Sequence, residues 1–590
     1  MSTTKSSTSM DMPSKNRIGK QTGFFSWLPR LDAEDNAERV RAALFYGGIL
    51  VLVAAIMRLV GMAGENFWHD EITILNVSLG TWDDLTYQFS RGRPPVFPLI
   101  AYGWTSAFGT GEVISRLPSF IAGVLSVGVL FHLGSLMFNQ RVGLLAAFIM
   151  TVTEFHIYYS QTFRYYSVYV LMVLLSFLFF YLLVTRKRWY YLLSYLVFSA
   201  LAFYTHAHGI FAITSQGIFF LAMVVLQREW RNRNLILTWL LSQVLLVLLI
   251  LPGLWLYFLA DILPAPEILN STGAVVVEEE LDETPVGVNW LQEPSVGSIV
   301  RALVRFVAYE WFYLNPFGIG AALLILVGGI VLLVSYTGWR KWVQNIKQLP
   351  GDVLKSGRFP QWSLVLSWLI GMIMLPWVAS FIVTPMFFDR YVLGASPAFY
   401  LFLALLVFGA RRVVPILAPV LAFIAFLIPG LLVFYNQPDN EQWKEAANYV
   451  SANVEPDDVV VVLTSSIHRR QPLESFNWYY PDTVTCELHE DALGEPETVA
   501  ALDECLAGYD RVWLVGLRWQ GNYDRLAEDG LSGTLIEFFE DYDEGTWQLA
   551  EAWDGDPFYL LGVYLYEDTS EDTEVAALPI RSEVGAALLQ

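Results

Sequence analysis

Long runs of apolar residues alternate with short polar segments through the first three quarters of the chain. A helical run of about 20 apolar residues crosses the ~30 Å hydrocarbon core of a bilayer. The pattern predicts about eleven such spans, at residues 43–62, 114–138, 142–159, 166–185, 189–205, 209–227, 235–260, 317–337, 362–383, 391–410 and 413–435. The chain is therefore predicted to be a polytopic α-helical membrane protein.

The pattern changes after residue 435, where polar and acidic residues surround short apolar runs. Helical periodicity alternates there with strand-like runs, at residues 441–452, 459–464, 498–507, 511–517 and 546–567. This alternation predicts a C-terminal soluble α/β domain over residues 436–567. The segment contains no Gly-rich phosphate loop, so it is interpreted as a lid or an acceptor-recognition module rather than as a second active site.

Composition agrees with the membrane prediction. Of the 590 residues, 55% are hydrophobic and 15% aromatic, with a mean hydropathy of +0.44, which is too apolar for a soluble protein of this length. The net charge of −21 comes largely from the C-terminal part and the loop 261–316. The sequence has no basic stripe, so nucleic-acid binding is excluded. Residues 1–42 are polar at most positions, and residues 1–42 and 568–590 are predicted to be disordered tails.

Lys and Arg collect at alternate ends of the predicted spans. They lie in residues 1–42 and after every second span, at Arg141, Arg186, Lys187, Arg188, Arg228, Arg231, Arg233, Arg340, Lys341, Lys347, Lys355, Arg358, Arg411 and Arg412. Because such residues are retained on the cytoplasmic side, the N-terminus is predicted to be cytoplasmic in a multi-pass plasma-membrane protein. The extracytoplasmic segments are then 63–112, 160–165, 205–208, 261–316, 384–390 and everything after 436.

Both cysteines, Cys486 and Cys505, lie in the predicted extracytoplasmic domain. A disulfide bond is permitted in that compartment, and two buried free thiols fit the sequence equally well. The sequence leaves the two alternatives open.

An acidic pair, Asp70-Glu71, follows the first predicted span at the start of the long outer loop 63–112. A carboxylate near the bilayer is costly unless it is paired or functional. Arg91, Arg93 and Arg116 belong to the same region and are possible partners. The alternative is that the pair caps the following helix and complements its dipole.

Further polar and aromatic residues occupy the other outer turns. The turn near 160 contains Tyr159, Gln161, Arg164 and Tyr165, and the tenth span begins beside Arg390. An arginine at this surface is suited to binding a lipid phosphate, whereas interfacial anchoring is the alternative for the tyrosines.

Two histidines, His206 and His208, lie in the outer turn 205–208. Together with Asp70 they are candidate ligands of a divalent metal ion. The alternative is a pair of hydrogen-bonded structural histidines.

The ordered set of these motifs resembles the prokaryotic GT-C glycosyltransferases, the family 39-like enzymes related to protein O-mannosyltransferases and to the lipid A aminoarabinose transferase. The resemblance covers about 43–435, and the soluble domain more weakly. The motifs that carry it are Asp70-Glu71, Arg93-Pro94-Pro95, Glu112 with Arg116-Leu117-Pro118-Ser119, Tyr158-Tyr159-Ser160-Gln161 with Arg164-Tyr165-Tyr166-Ser167, Thr205-His206 and Asp389-Arg390-Tyr391.

The resemblance implies transfer of a monosaccharide, with inversion, from a polyprenyl-phosphate-linked donor to a hydroxyl of a lipid, glycan or protein acceptor on the outer face. It implies that Asp70 is the general base of the catalytic pair with Glu71. It also assigns the donor phosphate to Arg93, Arg116, Arg164 and Arg390, and substrate contacts to Tyr159, Gln161, Tyr165 and His206.

The sequence departs from the aminoarabinose transferase at two positions, with Thr73 in place of an arginine and Gly92 in place of an acid. Family members differ in metal use, so the resemblance requires no cofactor, and a divalent ion remains one alternative.

Two other functions would also suit a polytopic protein. A flippase or transporter of polyprenyl-linked lipids requires polar residues near the span midpoints, and the sequence offers only Arg58, close to the outer end of the first span. A non-catalytic scaffold would not explain arginines gathered near an acidic pair.

Overall fold

The computed structural model describes most of the membrane part and the core of the C-terminal domain. The described residues are 29–31, 35–90, 92–256, 291, 293–308, 357–410, 417–436, 440–464, 471–481, 485–489, 505–506, 508–517, 547–555 and 558–568. The predicted span 317–337, residues 498–504 of the predicted helix 498–507, the acidic run of the loop 261–316 and nearly all of both predicted tails lie outside these residues.

Helices dominate the part of the chain before residue 437. In chain order they are α1 (Asn36–Leu59), α2 (His69–Leu79), α3 (Trp82–Ser90), α4 (Val96–Phe108), α5 (Glu112–Met137), α6 (Gln140–Val152), α7 (Glu154–Gln161), α8 (Tyr166–Arg186), α9 (Trp189–Thr205), α10 (Gly209–Leu226), α11 (Arg233–Leu254), α12 (Val296–Arg305), α13 (Phe359–Ala379), α14 (Ser396–Ala410) and α15 (Leu417–Asn436).

Six described helices are long and apolar enough to cross a membrane: α1, α5, α8, α10, α11 and α13. The bent pair α6 and α7 would make a seventh span. Shorter apolar helices lie at Val96–Phe108, Leu393–Phe408 and Val420–Asn436. The predicted number of about eleven spans is therefore not confirmed, although ten of the predicted apolar runs coincide with a described helix or helix pair.

Arg58 explains why the third predicted span is broken. The chain bends by 62° between α6 and α7, which leaves carbonyl groups at the end of α6 without helical partners. The buried Arg58 guanidinium donates to the Met150 and Thr151 carbonyls at 3.1 and 3.3 Å and to the Ser160 hydroxyl at 3.1 Å. One side chain of α1 thus holds both halves of the bent pair.

Close helix contacts and aromatic stacking build the membrane core. Gly134 of α5 faces Gly143 of α6 so closely that a Cβ on Gly134 would lie 2.8 Å from the Gly143 Cα, as is typical of helices that pack through small residues. On the other side of this core, Phe177 stacks on Trp368 with ring centroids 3.9 Å apart. These contacts hold the membrane helices together below the end at which the candidate site lies.

The C-terminal part contains a mixed five-stranded sheet. Its strands are β1 (Asp458–Thr464), β2 (Thr485–His489), β3 (Arg511–Leu517), β4 (Trp547–Gly555) and β5 (Phe558–Asp568), in the order β2-β1-β3-β5-β4. β1 pairs in parallel with β2 and β3, whereas β5 pairs antiparallel with β3 and β4. Cys505 is disulfide-bonded, and the only other cysteine of the sequence is Cys486.

Two helices connect this sheet to the membrane part: α16 (Trp443–Asn453) and α17 (Gln471–Tyr479). Trp443 of α16 is fully buried and packs in one cluster with strand residues such as Val460 and Trp513. On α17, Trp478 meets Phe67 edge-on at 6.2 Å between ring centroids. The sheet is thereby docked on the first outer segment, next to the acidic pair.

Candidate active site

The first outer segment is helical. The predicted outer loop 63–112 contains α2 and α3, and α4 then returns the chain toward the membrane core. Asp70 and Glu71 lie in the first turn of α2. Neighbouring residues on a helix point about 100° apart, so the two carboxylates face different surroundings: Asp70 is 17% exposed and Glu71 is fully buried.

Glu71 forms a bidentate ion pair with Arg116. Arg116 Nε and Nη2 donate to the carboxylate at 2.9 and 2.7 Å, and the Phe163 N–H donates to Glu71 Oε1 at 2.5 Å. The remaining Arg116 N–H groups donate to the carbonyls of Met62, Glu65 and Asn66 at 2.6–3.0 Å.

This pair differs from the predicted roles of both residues. A guanidinium has five N–H donors, and the contacts of Arg116 engage all of them, so none is left for a phosphate. Glu71 is equally enclosed and has no open path to a substrate hydroxyl. The correction for both is the same: the geometry favours a structural pair that joins α2 to α5 over catalysis and phosphate binding.

Asp70 lies against Arg164. Arg164 Nη2 is 3.5 Å from Asp70 Oδ2, and Nη1 donates to the Asp70 backbone carbonyl at 3.0 Å. Burial has the largest single effect and lowers the pKa of Arg164, but the Asp70 carboxylate, together with Tyr166 and Tyr165, outweighs burial and raises the pKa above its ordinary value. The guanidinium is therefore charged at any physiological pH.

Two more arginines surround this ion pair. Arg390 lies within electrostatic reach of Asp70 and Arg164, with its guanidinium 5.1 and 5.5 Å from the ring centroids of Phe388 and Tyr391. The side chain of Arg93 is exposed in part. The buried part of its surface has the largest effect on its pKa, repulsion from Arg164 the second largest, and both lower the pKa. The structure thus brings Arg164 and Arg390 around one partly exposed carboxylate, with Arg93 within electrostatic reach of Arg164.

A second ion pair fixes the segment that carries Arg390. Arg305, at the end of α12, contacts Asp389 Oδ2 through Nη1 at 2.6 Å, and Asp389 Oδ1 accepts the Arg390 N–H at 3.1 Å. No sequence pattern indicates the role of Arg305, because Arg305 and Asp389 lie 84 positions apart.

The predicted substrate residues divide into two groups. Tyr165 and His206 lie together beside Arg390, with ring centroids 5.0 Å apart, and the ring of His206 is 5.1 Å from that of Tyr391. Gln161, in contrast, donates to the carbonyls of Arg58 and Val60 at 3.1 and 2.6 Å and so caps the end of α1.

Tyr159, the fourth predicted substrate residue, is 4% exposed and packs on Tyr166 at 4.5 Å between ring centroids. Its position and that of Gln161 favour a structural role over substrate contact. A correction therefore applies to these two residues, while Tyr165 and His206 remain candidates.

The predicted metal ligands Asp70, His206 and His208 do not form a metal cluster. Among the described residues, no group of three or more His, Cys, Asp or Glu side chains is arranged to hold a metal ion. His206 Nδ1 accepts the His208 N–H at 3.2 Å, and His208 Nε2 donates to the Met386 carbonyl at 3.0 Å. These contacts fit the alternative of structural histidines.

The C-terminal part contributes residues that sequence reasoning missed. Glu441 accepts a hydrogen bond from the His69 ring at 2.6 Å, and Tyr479 accepts the Phe67 N–H at 2.9 Å. Lys444 donates to Glu112 at 3.0 Å. No sequence pattern announces such contacts, because they join positions more than 300 residues apart.

Residues 92–255 match the family model described as dolichyl-phosphate-mannose-protein mannosyltransferase. This segment includes Arg93, Arg164 and His206 but neither Asp70 nor Arg390. No curated protein matches the sequence significantly.

Solved structures align over most of the chain with 12–14% identity. The apo oligosaccharyltransferase of Archaeoglobus fulgidus has 14% identity and a TM-score of 0.47, covering 80% of this chain and 69% of its own. The oligosaccharyltransferase AglB of the same organism, in complex with an inhibitory peptide and a dolichol-phosphate, has 13% identity and a TM-score of 0.48, covering 92% and 75%.

ArnT from Cupriavidus metallidurans bound to undecaprenyl phosphate has 12% identity and a TM-score of 0.47, covering 89% of this chain and 98% of its own. Because these TM-scores lie below 0.5, the assignment depends on the family model. That match agrees, over residues 92–255, with the resemblance to membrane glycosyltransferases drawn from the sequence, and six described helices are long and apolar enough to cross a membrane, as in a multi-pass membrane protein.

Proposed function

We propose that the protein transfers a monosaccharide from a polyprenyl-phosphate-linked donor to a hydroxyl group of a lipid, glycan or protein, with Asp70 as the general base. The observation that carries this proposal is the position of Asp70, a carboxylate 17% exposed within a group of three arginines, Arg93, Arg164 and Arg390. The family model also describes an enzyme whose donor sugar is linked to a polyprenol phosphate.

The proposed reaction is a single displacement. The acceptor oxygen attacks the anomeric carbon, the bond from that carbon to the phosphate oxygen breaks, and the acceptor proton passes to Asp70. Attack on the face opposite the leaving phosphate inverts the configuration. One partly exposed carboxylate is enough for this route, which agrees with the engagement of Glu71 by Arg116.

The arginines act on the leaving group. Negative charge grows on the departing polyprenyl phosphate, and guanidinium groups bind phosphate oxygens through paired N–H donors. Fixed cations aimed at developing charge lower the barrier more than they strengthen binding of the donor. Arg164 and Arg390 are our candidates for this contact, with Arg93 at the exposed rim.

We also propose that the site faces the extracytoplasmic side of the plasma membrane, with the N-terminus in the cytoplasm and the C-terminal domain outside. The distribution of Lys and Arg among the loops supports this orientation. Accessibility of tags at the two termini to protease in intact spheroplasts tests it: the C-terminal tag alone is expected to be cleaved.

The test of the reaction is sugar transfer by purified protein. Radiolabelled monosaccharides linked to polyprenyl phosphates are supplied with membrane lipid, glycan and protein fractions, and the wild type is compared with Asp70→Asn. We expect label in one acceptor fraction with the wild type and none with D70N, while D70N still binds undecaprenyl phosphate. Asp83→Asn is the matched control, because Asp83 is an exposed acid of the same outer segment.

Two results would contradict the proposal. Transfer by D70N at the wild-type rate would exclude Asp70 as the base. Equal loss of transfer and of undecaprenyl phosphate binding in D70N would make Asp70 a structural residue.

A further inference from the structure

Glu441 binds His69 at two places. The Glu441 carboxylate accepts a hydrogen bond from His69 Nδ1 at 2.6 Å and one from the His69 backbone N–H at 3.1 Å. The Trp443 indole N–H donates to the same carboxylate at 2.7 Å and fixes its orientation. Glu441 and His69 are 9% and 16% exposed, so little water competes for these contacts.

His69 in turn faces Asp70. With Nδ1 turned to Glu441, its Nε2 lies 3.9 Å from Asp70 Oδ1. The other Asp70 oxygen, Oδ2, lies 3.5 Å from Arg164 Nη2. The carboxylate of Asp70 is therefore held between an imidazole on one side and a guanidinium on the other.

Glu441 binds the backbone of α2 as well as the imidazole ring of His69. The His69 N–H belongs to the first turn of α2, where helical N–H groups have no partner within the helix. Glu441 supplies such a partner at the residue just before Asp70. A shift of Glu441 would therefore move both the imidazole and the start of the helix that carries Asp70.

We infer that Glu441 is a positioning residue of the active site, which sets the orientation of the Asp70 carboxylate through His69. The inference rests on the proposed function, since it gives Asp70 the role of base. It makes the junction between the last described membrane helix and the C-terminal domain part of the catalytic machinery. The domain would then do more than cover the site or recognise an acceptor.

The charged groups around His69 agree with this arrangement. The ring faces Glu441, Asp70 and Arg390, and the indole of Trp68 packs edge-on at 4.9 Å between ring centroids. Burial alone would lower the pKa of His69, but Glu441 and Asp70 outweigh burial and the opposing Arg390, and the net pKa is raised above 6.5. At mildly acidic pH, His69 is therefore an imidazolium that lies between the carboxylates of Glu441 and Asp70.

The test compares variants at Glu441 with a control in the same segment. Glu441→Gln keeps the shape of the side chain and removes the charge, and Glu441→Asp keeps the charge on a shorter chain. Lys444→Ala breaks another contact between the C-terminal domain and the membrane part, the ion pair with Glu112, without touching His69. Transfer kinetics and the Kd for undecaprenyl phosphate are measured for each.

We expect E441Q to lower kcat about 10- to 100-fold, the range for a misplaced catalytic group, with KM for the donor and the Kd for undecaprenyl phosphate changed less than about twofold. E441D is expected to retain more activity than E441Q, and K444A to behave as the wild type. Because the residues act in series, a His69→Ala/Glu441→Gln double variant is expected to be no slower than His69→Ala alone.

The outcomes separate this inference from the proposed function. A wild type that transfers no sugar overturns the proposed function. An active wild type with the same kcat in E441Q overturns the positioning role alone, as does a parallel loss of kcat and undecaprenyl phosphate affinity. NMR titration of ¹³C-labelled histidines, with His69 assigned from His69→Ala, is independent of activity: a His69 pKa unchanged by E441Q also overturns it.

Discussion

At the scale of single residues, neighbours in sequence have separate tasks. Asp70 and Glu71 adjoin each other, yet one is partly exposed beside Arg164 and the other is buried against Arg116. The same division separates Arg164 from Arg116. A charged side chain in an active site is therefore better judged by the number of its hydrogen-bond partners than by its place in a motif.

The first prediction concerns the buried pair. Arg116→Ala leaves the Glu71 carboxylate buried without its cation, which typically costs about 3–5 kcal/mol. We expect a lower thermal unfolding midpoint and poor yield, and partial recovery in the Arg116→Met/Glu71→Gln double variant because no charge is then buried. A stable R116A that has only lost affinity for undecaprenyl phosphate would contradict the structural assignment.

The second prediction concerns the phosphate site. Arg390→Ala removes charged hydrogen bonds worth about 1.5–3 kcal/mol, so the Kd for undecaprenyl phosphate is expected to rise roughly 10- to 100-fold. Arg188→Ala, an exposed arginine at the opposite end of the helices, serves as the control and is expected to bind normally. Unchanged binding by R390A would remove Arg390 from the site.

At the scale of helices and strands, the sequence predicted those elements whose position depends on the local pattern of apolar residues. The strand-like runs 459–464 and 511–517 lie within one residue of β1 and β3, and most apolar runs coincide with helices. The break between α6 and α7 was not predicted, because it depends on Arg58 of another helix. The bidentate pair of Glu71 and Arg116 was missed for the same reason, because it depends on how α2 packs against α5.

The third prediction tests the packing of α5 against α6. Gly134→Ala places a Cβ 2.8 Å from the Gly143 Cα and 2.9 Å from a Leu401 methyl group, so the helices must separate. We expect a destabilisation of about 1–3 kcal/mol, seen as a lower unfolding midpoint in detergent. Gly48→Ala in α1 has open space around the new methyl group and is expected to leave the midpoint unchanged or raise it; equal effects of both variants would contradict the packing argument.

At the scale of the whole molecule, the C-terminal domain and the membrane part meet through polar contacts. Glu441, Lys444 and Tyr479 bind His69, Glu112 and Phe67 respectively. Sequence patterns predicted β1, β3 and the pair formed by β4 and β5, but not β2, and the start of the domain at residue 436 stays a prediction. They did not predict its docking, since each contact joins segments that have no local pattern in common.

The fourth prediction is that docking depends on pH. The raised pKa of His69 adds stability that is complete below the unfolded value of about 6.5 and is lost as pH rises through the folded pKa. For Glu441, burial raises the pKa, but His69 and Trp443 have the larger combined effect and bring the pKa below 4.5. The stability that Glu441 contributes is therefore present above pH 4.5 and is lost as pH falls through the folded pKa.

The unfolding midpoint of the wild type should therefore exceed that of Glu441→Gln most between about pH 4.5 and pH 6.5, the two ordinary values. The difference should shrink at higher pH, once His69 is neutral. Thermal unfolding of both proteins from about pH 5 to about pH 9 measures it. A difference that is the same at every pH would show that the pair does not titrate as described.

His69 and Glu441, which bind each other in the folded protein, are synthesised at different times because they lie far apart along the chain. Glu441 follows His69 by 372 positions, and a ribosome that adds about 5–20 residues each second needs roughly 20–70 s to cover that distance. During this interval the nascent chain has inserted its first helix while His69 lacks its acidic partner. If Glu441 has the proposed positioning role, full transfer activity is expected only after the last described membrane helix and Glu441 have been made, and a shorter nascent chain is expected to be much slower.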